Sequence, residues 1–140
     1  MRKTLWKRLF AHDLKLMVDF NLNPASISEL NKLGSVKAKR TTDYGFSPGA
    51  EDKDLVYNEK GCILLTGDRR SINENTYPPC NHAGIIILMA KRPPSETIVE
   101  HVRAFAQSGH RKQAKHNVVR LSEHRAIIHK HHNQTDEVQL

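Results

Sequence analysis

Asp52-Lys-Asp-Leu-Val-Tyr-Asn-Glu-Lys-Gly-Cys-Ile-Leu-Leu-Thr-Gly-Asp68 is the stretch on which the fold turns. Its acidic front half predicts a helix over about 52–60 that opens on Asp52 and stops at Gly61. Cys62 to Thr66 is a short apolar run that reads as a buried strand, and Thr66-Gly67-Asp68 is the turn after it. One helix–strand unit therefore carries carboxylates at both ends. If its strand lies parallel to a neighbour that ends at Asp19, three acidic groups converge on the carboxyl edge of a sheet, where open α/β folds place their sites.

That neighbour is Leu14 to Phe20, an apolar run that delivers Asp19 and then Asn21 at its close. Pro24 follows, and Ser26, Ile27, Leu30 and Leu33 recur at helical spacing up to Gly34, giving a strand–loop–helix unit. Val36 to Thr42 alternates apolar residues with Lys37, Lys39 and Arg40. It reads as an edge strand whose charges discourage further pairing. Asp43 to Ala50 is a loop by its Gly and Pro content and leads into Glu51, Asp52 and Asp54.

Downstream, Arg69-Arg70-Ser71 makes a basic, hydroxyl-bearing turn that suits a phosphate as well as it suits solvent. Residues 73–83 read as loop. Gly84 to Ala90 is the clearest buried strand, a β-branched run of the kind parallel sheets use, and Lys91-Arg-Pro-Pro breaks it. Ser95 is expected to cap a helix with Ile98, Val99, Val102, Phe105 and Ala106 on its apolar face, running up to Gly109. Asn117–Leu121 and Ala126–His129 flank Ser122-Glu-His-Arg125 as a closing hairpin. The His-rich end, residues 131–140, is expected to be a frayed polar tail. Residues 1–13 hold Leu5, Trp6, Leu9 and Phe10 on one side of an amphipathic helix expected to pack on the domain, which spans 14–130.

With 140 residues the chain forms one domain with a core that needs no staple. Its formal charge of +7 implies an anionic partner, RNA ahead of DNA. No run approaches the roughly 20 apolar residues of a membrane span, and no apolar signal region follows Met1, so a reduced, cytoplasmic protein without a membrane partner is expected. Cys62 reads as a core residue. Cys80 and His82 lack two further ligands at structural-zinc spacing.

Taken together these residues resemble the PIN-like superfamily of metal-dependent nucleases, most closely its small Mut7-C-like or DUF5615-type branch of predicted toxin-like proteins. The resemblance rests on Leu-Met-Val-Asp-Phe-Asn-Leu-Asn-Pro at 16–24, on Asp52 opening the middle helix, on Thr-Gly-Asp at 66–68, and on Ala-Gly-Ile-Ile-Ile-Leu at 83–88. It spans roughly Lys15 to His129. It implies a three-layer α/β fold with a central, mostly parallel sheet, helices on both faces and a C-terminal hairpin. It also implies Asp19, Asp52 and Asp68 as catalytic, metal-binding carboxylates supported by Asn21 and Thr66, with Asp43 as a candidate fourth. Phe20 stands where the family often has a second acid.

The chemistry suits the residue types. Mg²⁺ or Mn²⁺ held by hard carboxylate oxygens activates a water and neutralises a phosphate, while Arg69, Arg70, Lys39 and Arg40 are placed to meet an RNA backbone. Asp54 and Glu51 are lesser adjuncts. The expected function is a metal-dependent endoribonuclease, and the resemblance adds the toxin role in a toxin–antitoxin pair, with an antitoxin as protein partner. The alternative is an inactive PIN-like module that binds nucleic acid or protein; a homodimer is compatible with either. A receiver-type domain fits poorly, because no paired acids close the first strand and only one further strand separates Asp68 from Lys91.

Overall fold

The computed structural model describes residues 14–140, so the amphipathic segment expected at 1–13 lies outside the described residues. The strands are β1 (Leu14–Val18), β2 (Val36–Arg40), β3 (Ile63–Thr66), β4 (Ile85–Leu88), β5 (Val118–Leu121), β6 (Arg125–Lys130) and β7 (Gln134–Gln139). They form one seven-stranded sheet in the order β2-β1-β3-β4-β5-β6-β7. The pairs from β2 to β5 are parallel, and β6 and β7 continue antiparallel.

Burial on two faces explains the composition of the inner strands. Leu16, Val18, Leu65, Ile86, Leu88, Val119 and Leu121 pack on one side, against Leu30 of helix α1 (Ser26–Asn31) and Ile98, Val102 and Phe105 of helix α3 (Ser95–Gln107). Met17, Leu64, Ile85, Ile87 and Val118 point the other way. They meet Leu55 and Val56 of helix α2 (Asp52–Val56), together with Ile72 from the loop after β3. Strands sandwiched between two layers have no solvated face, which is why β3 and β4 read as unbroken apolar runs. Gly84 opens β4 at φ +133°, and a Cβ there would lie 2.3 Å from the Ala114 carbonyl oxygen, so only glycine fits.

The expected α/β fold with its closing hairpin is present, with several differences in extent. α2 stops at Val56 rather than near Lys60 because the Asn58 side chain takes over. Its amide donates to the Leu55 and Cys62 carbonyls, and its oxygen accepts from the Lys60 and Cys62 N–H groups. α1 ends at Asn31, short of Leu33, and the Asn31 amide instead bonds both the N–H and the C=O of Ala38 on the open side of β2. The outer edge of the sheet is thereby partly capped. Pro94, not Ser95, holds the N-cap position of α3, without a side-chain cap bond.

The largest correction concerns residues 131–140. They are no frayed tail: after a turn at His131–Asn133 the chain doubles back as β7, in register with β6 from Lys130↔Gln134 to Arg125↔Gln139. Val138 is buried over Ala126, and Leu140 packs on the same core. Backbone pairing and these two apolar anchors outweigh the polarity that made the segment read as solvated.

Candidate functional site

The strand order places β1 next to both β2 and β3, so the chain leaves β1 to one side and returns on the other. In doubly wound sheets such a switch point opens a crevice at the carboxyl ends of the strands. Val18 pairs with Leu65, so Asp19 and Thr66 emerge level with each other at that crevice.

Thr66 organises what lies there. Its buried hydroxyl donates to Asp19 Oδ2 at 2.8 Å and accepts the Asp68 N–H at 3.1 Å. Asn21 Nδ2 reaches the same oxygen at 3.4 Å, while Asn21 Oδ1 accepts the Gly67 N–H at 3.3 Å. One threonine thus ties the end of β1 to the turn after β3. The Phe20 N–H donates to Asp19 Oδ1 at 2.8 Å, so each oxygen of this carboxylate has a donor. Asp68 shapes its own turn: its Oδ1 accepts from the Ser71 N–H and its carbonyl from the Ile72 N–H, and buried Ile72 pins the turn to the second core.

Asp52 approaches from the first turn of α2, on the second face of the sheet. Burial holds the Asp19 carboxyl above the usual carboxylate range. The Thr66 and Phe20 hydrogen bonds oppose that rise, and the charges of Asp52 and Asp68 add to it. Asp52 is raised too, first by desolvation and then by Asp68. The three carboxylates expected to converge are therefore near enough to repel one another.

Among the described residues no three His, Cys, Asp or Glu side chains are drawn into a single metal-holding group. An all-protein cage, as Ca²⁺ or structural zinc requires, does not fit this edge. Mg²⁺ makes a weaker demand, since it is commonly held by one or two carboxylates, with waters and a substrate phosphate completing its shell. One or two of Asp19, Asp52 and Asp68 would be the residues to hold an ion in that way, since the three do not form a single cage.

The remaining expected residues divide. Asp43 lies at the end of β2, where its Oδ2 accepts the Arg40 N–H at 3.2 Å, a turn-capping role. Asp54 and Glu51 are exposed, and Glu51 pairs with Lys53. Arg69 Nη1 reaches the Met89 carbonyl at 3.4 Å, bridging the turns after β3 and β4, and Arg70 is exposed beside it. Lys39 lies over the Tyr44 ring, and Arg40 closes β2. Cys62 is buried and free, as expected; His82 Nε2 lies 3.1 Å from the Tyr77 carbonyl.

Tyr77 and Arg92 were not singled out from the sequence, and Lys91 was weighed there only as the lysine of a receiver-type layout. Tyr77 is close enough to Asp52 for that charge to help raise its hydroxyl pKa, although burial is the larger cause. Its loop carries no periodic signal that would have revealed this. Lys91 and Arg92 stand with Arg69 around a cleft of about 280 Å³ floored by Gly67 and Met89. Their position directly after β4 was the available clue.

No protein-family model, curated protein or solved structure matches the chain. Among the described residues no helix is long and apolar enough to cross a membrane.

Proposed function

We propose that the chain is a metal-dependent endoribonuclease of PIN-like type, with Asp19, Asp52 and Asp68 holding Mg²⁺ or Mn²⁺ against an RNA phosphodiester. What supports this reading is the place of three carboxylates from three separate elements around the switch point of the sheet. Burial first and the neighbouring acids second raise the Asp19 and Asp52 carboxyls there, although the three are not drawn into one metal-holding group. A divalent ion bound there supplies charge neutralisation on the phosphate and lowers the pKa of a coordinated water.

The chain's own groups do the positioning. Thr66 and the Phe20 N–H orient both oxygens of Asp19. The Asp68 turn is held by its own hydrogen bonds, and Arg69 faces the same edge, where a phosphate oxygen would be met. The formal +7 charge favours association with a polyanion. In the proposed setting, a reducing cytoplasm, Cys62 and Cys80 stay free thiols, and the protein acts as the toxin of a toxin–antitoxin pair.

The test is cleavage of end-labelled RNA by the full chain with Mg²⁺ or Mn²⁺. Asp19→Asn and Asp68→Asn are each expected to lose at least about 100-fold in rate, with unchanged circular dichroism. Full activity in both variants would sink the proposal. A second reading, a module that binds RNA without turnover, draws on the open spacing of the three acids. RNA binding indifferent to chelator, with no cleavage under any divalent ion, would select it.

A further inference from the structure

We propose that Glu74, Arg120 and His129 form a pH-graded latch that ties the long loop between β3 and β4 to the sheet, closing more firmly as His129 takes a proton and thereby fixing Asp68 and Tyr77 at the candidate site. Only the consequence for cleavage rests on the nuclease reading; the closing of the loop is measured without it.

Residues 67–84 separate β3 from β4 without a helix or strand. An irregular connection of that length is uncommon in a compact domain and calls for something to hold it. Its buried anchors are Ile72, in the second core, and His82, whose Nε2 lies 3.1 Å from the Tyr77 carbonyl. Between them, from Asn73 to Asn81, no residue is buried. Beside this middle part lies a cavity of about 540 Å³, lined in part by Glu74, Pro78, Pro79, His129, His131 and Thr135. Apolar packing therefore does not fix the middle of the loop.

Glu74 supplies the hold. Val118 is the partner of His129 and Arg120 that of Ile127, so Arg120 and His129 share the sheet face of Val118, which belongs to the second core. Arg120 Nε donates to both Glu74 oxygens at 3.0 Å, Nη2 lies 2.8 Å from Oε1, and His129 Nε2 lies 3.5 Å from the same Oε1. The three side chains are only 16, 25 and 21 % exposed for Glu74, Arg120 and His129, whereas Lys53–Glu51, Arg103–Glu100 and Arg125–Glu137 are solvated pairs.

His129 Nε2 is buried and makes no hydrogen bond, so a proton arriving there meets an acceptor already in place. The other charged groups around the ring are committed elsewhere: Arg120 to Glu74, Lys130 to Asp136 and Glu137 to Arg125, while His131 and His132 lie against each other in the exposed turn. Burial opposes ionisation of Glu74, but the Arg120 hydrogen bond, its own backbone N–H and the charges of His129 and Arg120 outweigh it and hold the carboxyl below its usual range. Glu74 is thus still an anion where imidazoles titrate, between about pH 5 and 8. Protonated His129 gives it a second cation, so the latch strengthens as pH falls through that window and weakens as pH rises. Glu74 stands between Asp68, whose turn starts the loop, and Tyr77, whose ring meets Tyr57 edge-on at 5.8 Å and lies within range of the Asp52 charge. Releasing it frees both.

The experiment is hydrogen exchange of the full chain in EDTA, read by mass spectrometry at about pH 5.5 and about pH 8 and corrected for intrinsic exchange rates. The peptide covering 73–81 is expected to be about 3- to 10-fold better protected at the lower pH, with β4 as the control for global unfolding. His129→Gln should abolish that difference, and Glu74→Gln should lower loop protection about 10-fold at both pH values while β4 stays protected. Equal loop protection at the two pH values in the wild type, or a difference that survives His129→Gln, would overturn the latch. Cleavage of RNA with Mn²⁺ is scored apart, and Glu74→Gln is expected to lose about 10-fold in rate. A full rate in that variant would overturn the link from latch to site, and absence of cleavage by the wild type would defeat the nuclease reading alone.

Discussion

Thr66 has a single hydroxyl proton, and it goes to Asp19 Oδ2 while the oxygen accepts the Asp68 N–H. Thr66→Val keeps the shape and removes these two bonds and the longer one from Asn21 Nδ2. Because the lost bond stabilises the ionised carboxyl, the Asp19 pKa should climb further above the usual range, and RNA cleavage should fall about 10-fold or more. An NMR titration of Asp19 alongside the rate checks both. Asp19 and Asp52 also link site to stability. Their carboxyls are raised in the folded chain, so their contribution to stability is complete below the unfolded value near pH 4 and is lost as pH rises through the raised value. In chelator, Asp19→Asn should therefore be more stable than wild type at pH 7, and the gain should vanish as the pH falls toward 4. Urea melts across that range measure it; an equal gain at both ends would contradict the assignment. Asp19 and Asp68 were expected from their places just after strands, and Asp52 from its place at the start of α2. Tyr77 was not, because a loop residue's neighbour is set by the path of the chain rather than by any local pattern.

The short helix α2 shows how one side chain can set the extent of an element. Continued helix over 57–60 would have satisfied the periodicity, but Asn58 bonds four backbone groups and converts those residues into the turn that feeds β3. Asn58→Ala leaves these groups to find water or remain unpaired, and should cost about 2 kcal/mol in urea unfolding. It should also weaken cleavage, since α2 carries Asp52. Loss of stability without loss of rate would show that α2 holds its place by Leu55 and Val56 alone. The strands were readable because two-sided burial writes itself into composition. The helix ends were not, because side-chain competition for backbone groups decides them.

At the scale of the whole sheet, its two edges are protected differently. β2 carries Lys37, Lys39 and the Asn31 bonds to Ala38, whereas the other edge is β7, a polar strand that covers β6. Removing residues 134–140 takes away buried Val138 and the Leu140 packing, and it leaves β6 with unpaired backbone groups. The truncated chain should lose about 2–4 kcal/mol in urea unfolding and self-associate in light scattering. A monomer of unchanged stability would mean that β7 is a dispensable ornament on the five-strand parallel unit.

By itself the sequence determined the α/β class, the buried parallel strands, the basic surface and the carboxylates at strand ends, because burial, charge and turn chemistry act on each residue through its own side chain and near neighbours. Only the tertiary structure decided the strand order, the switch point that brings Asp19, Asp52 and Asp68 within range of one another, and the pairing of residues 134–139. Those depend on which distant segments share hydrogen bonds and low-dielectric surroundings.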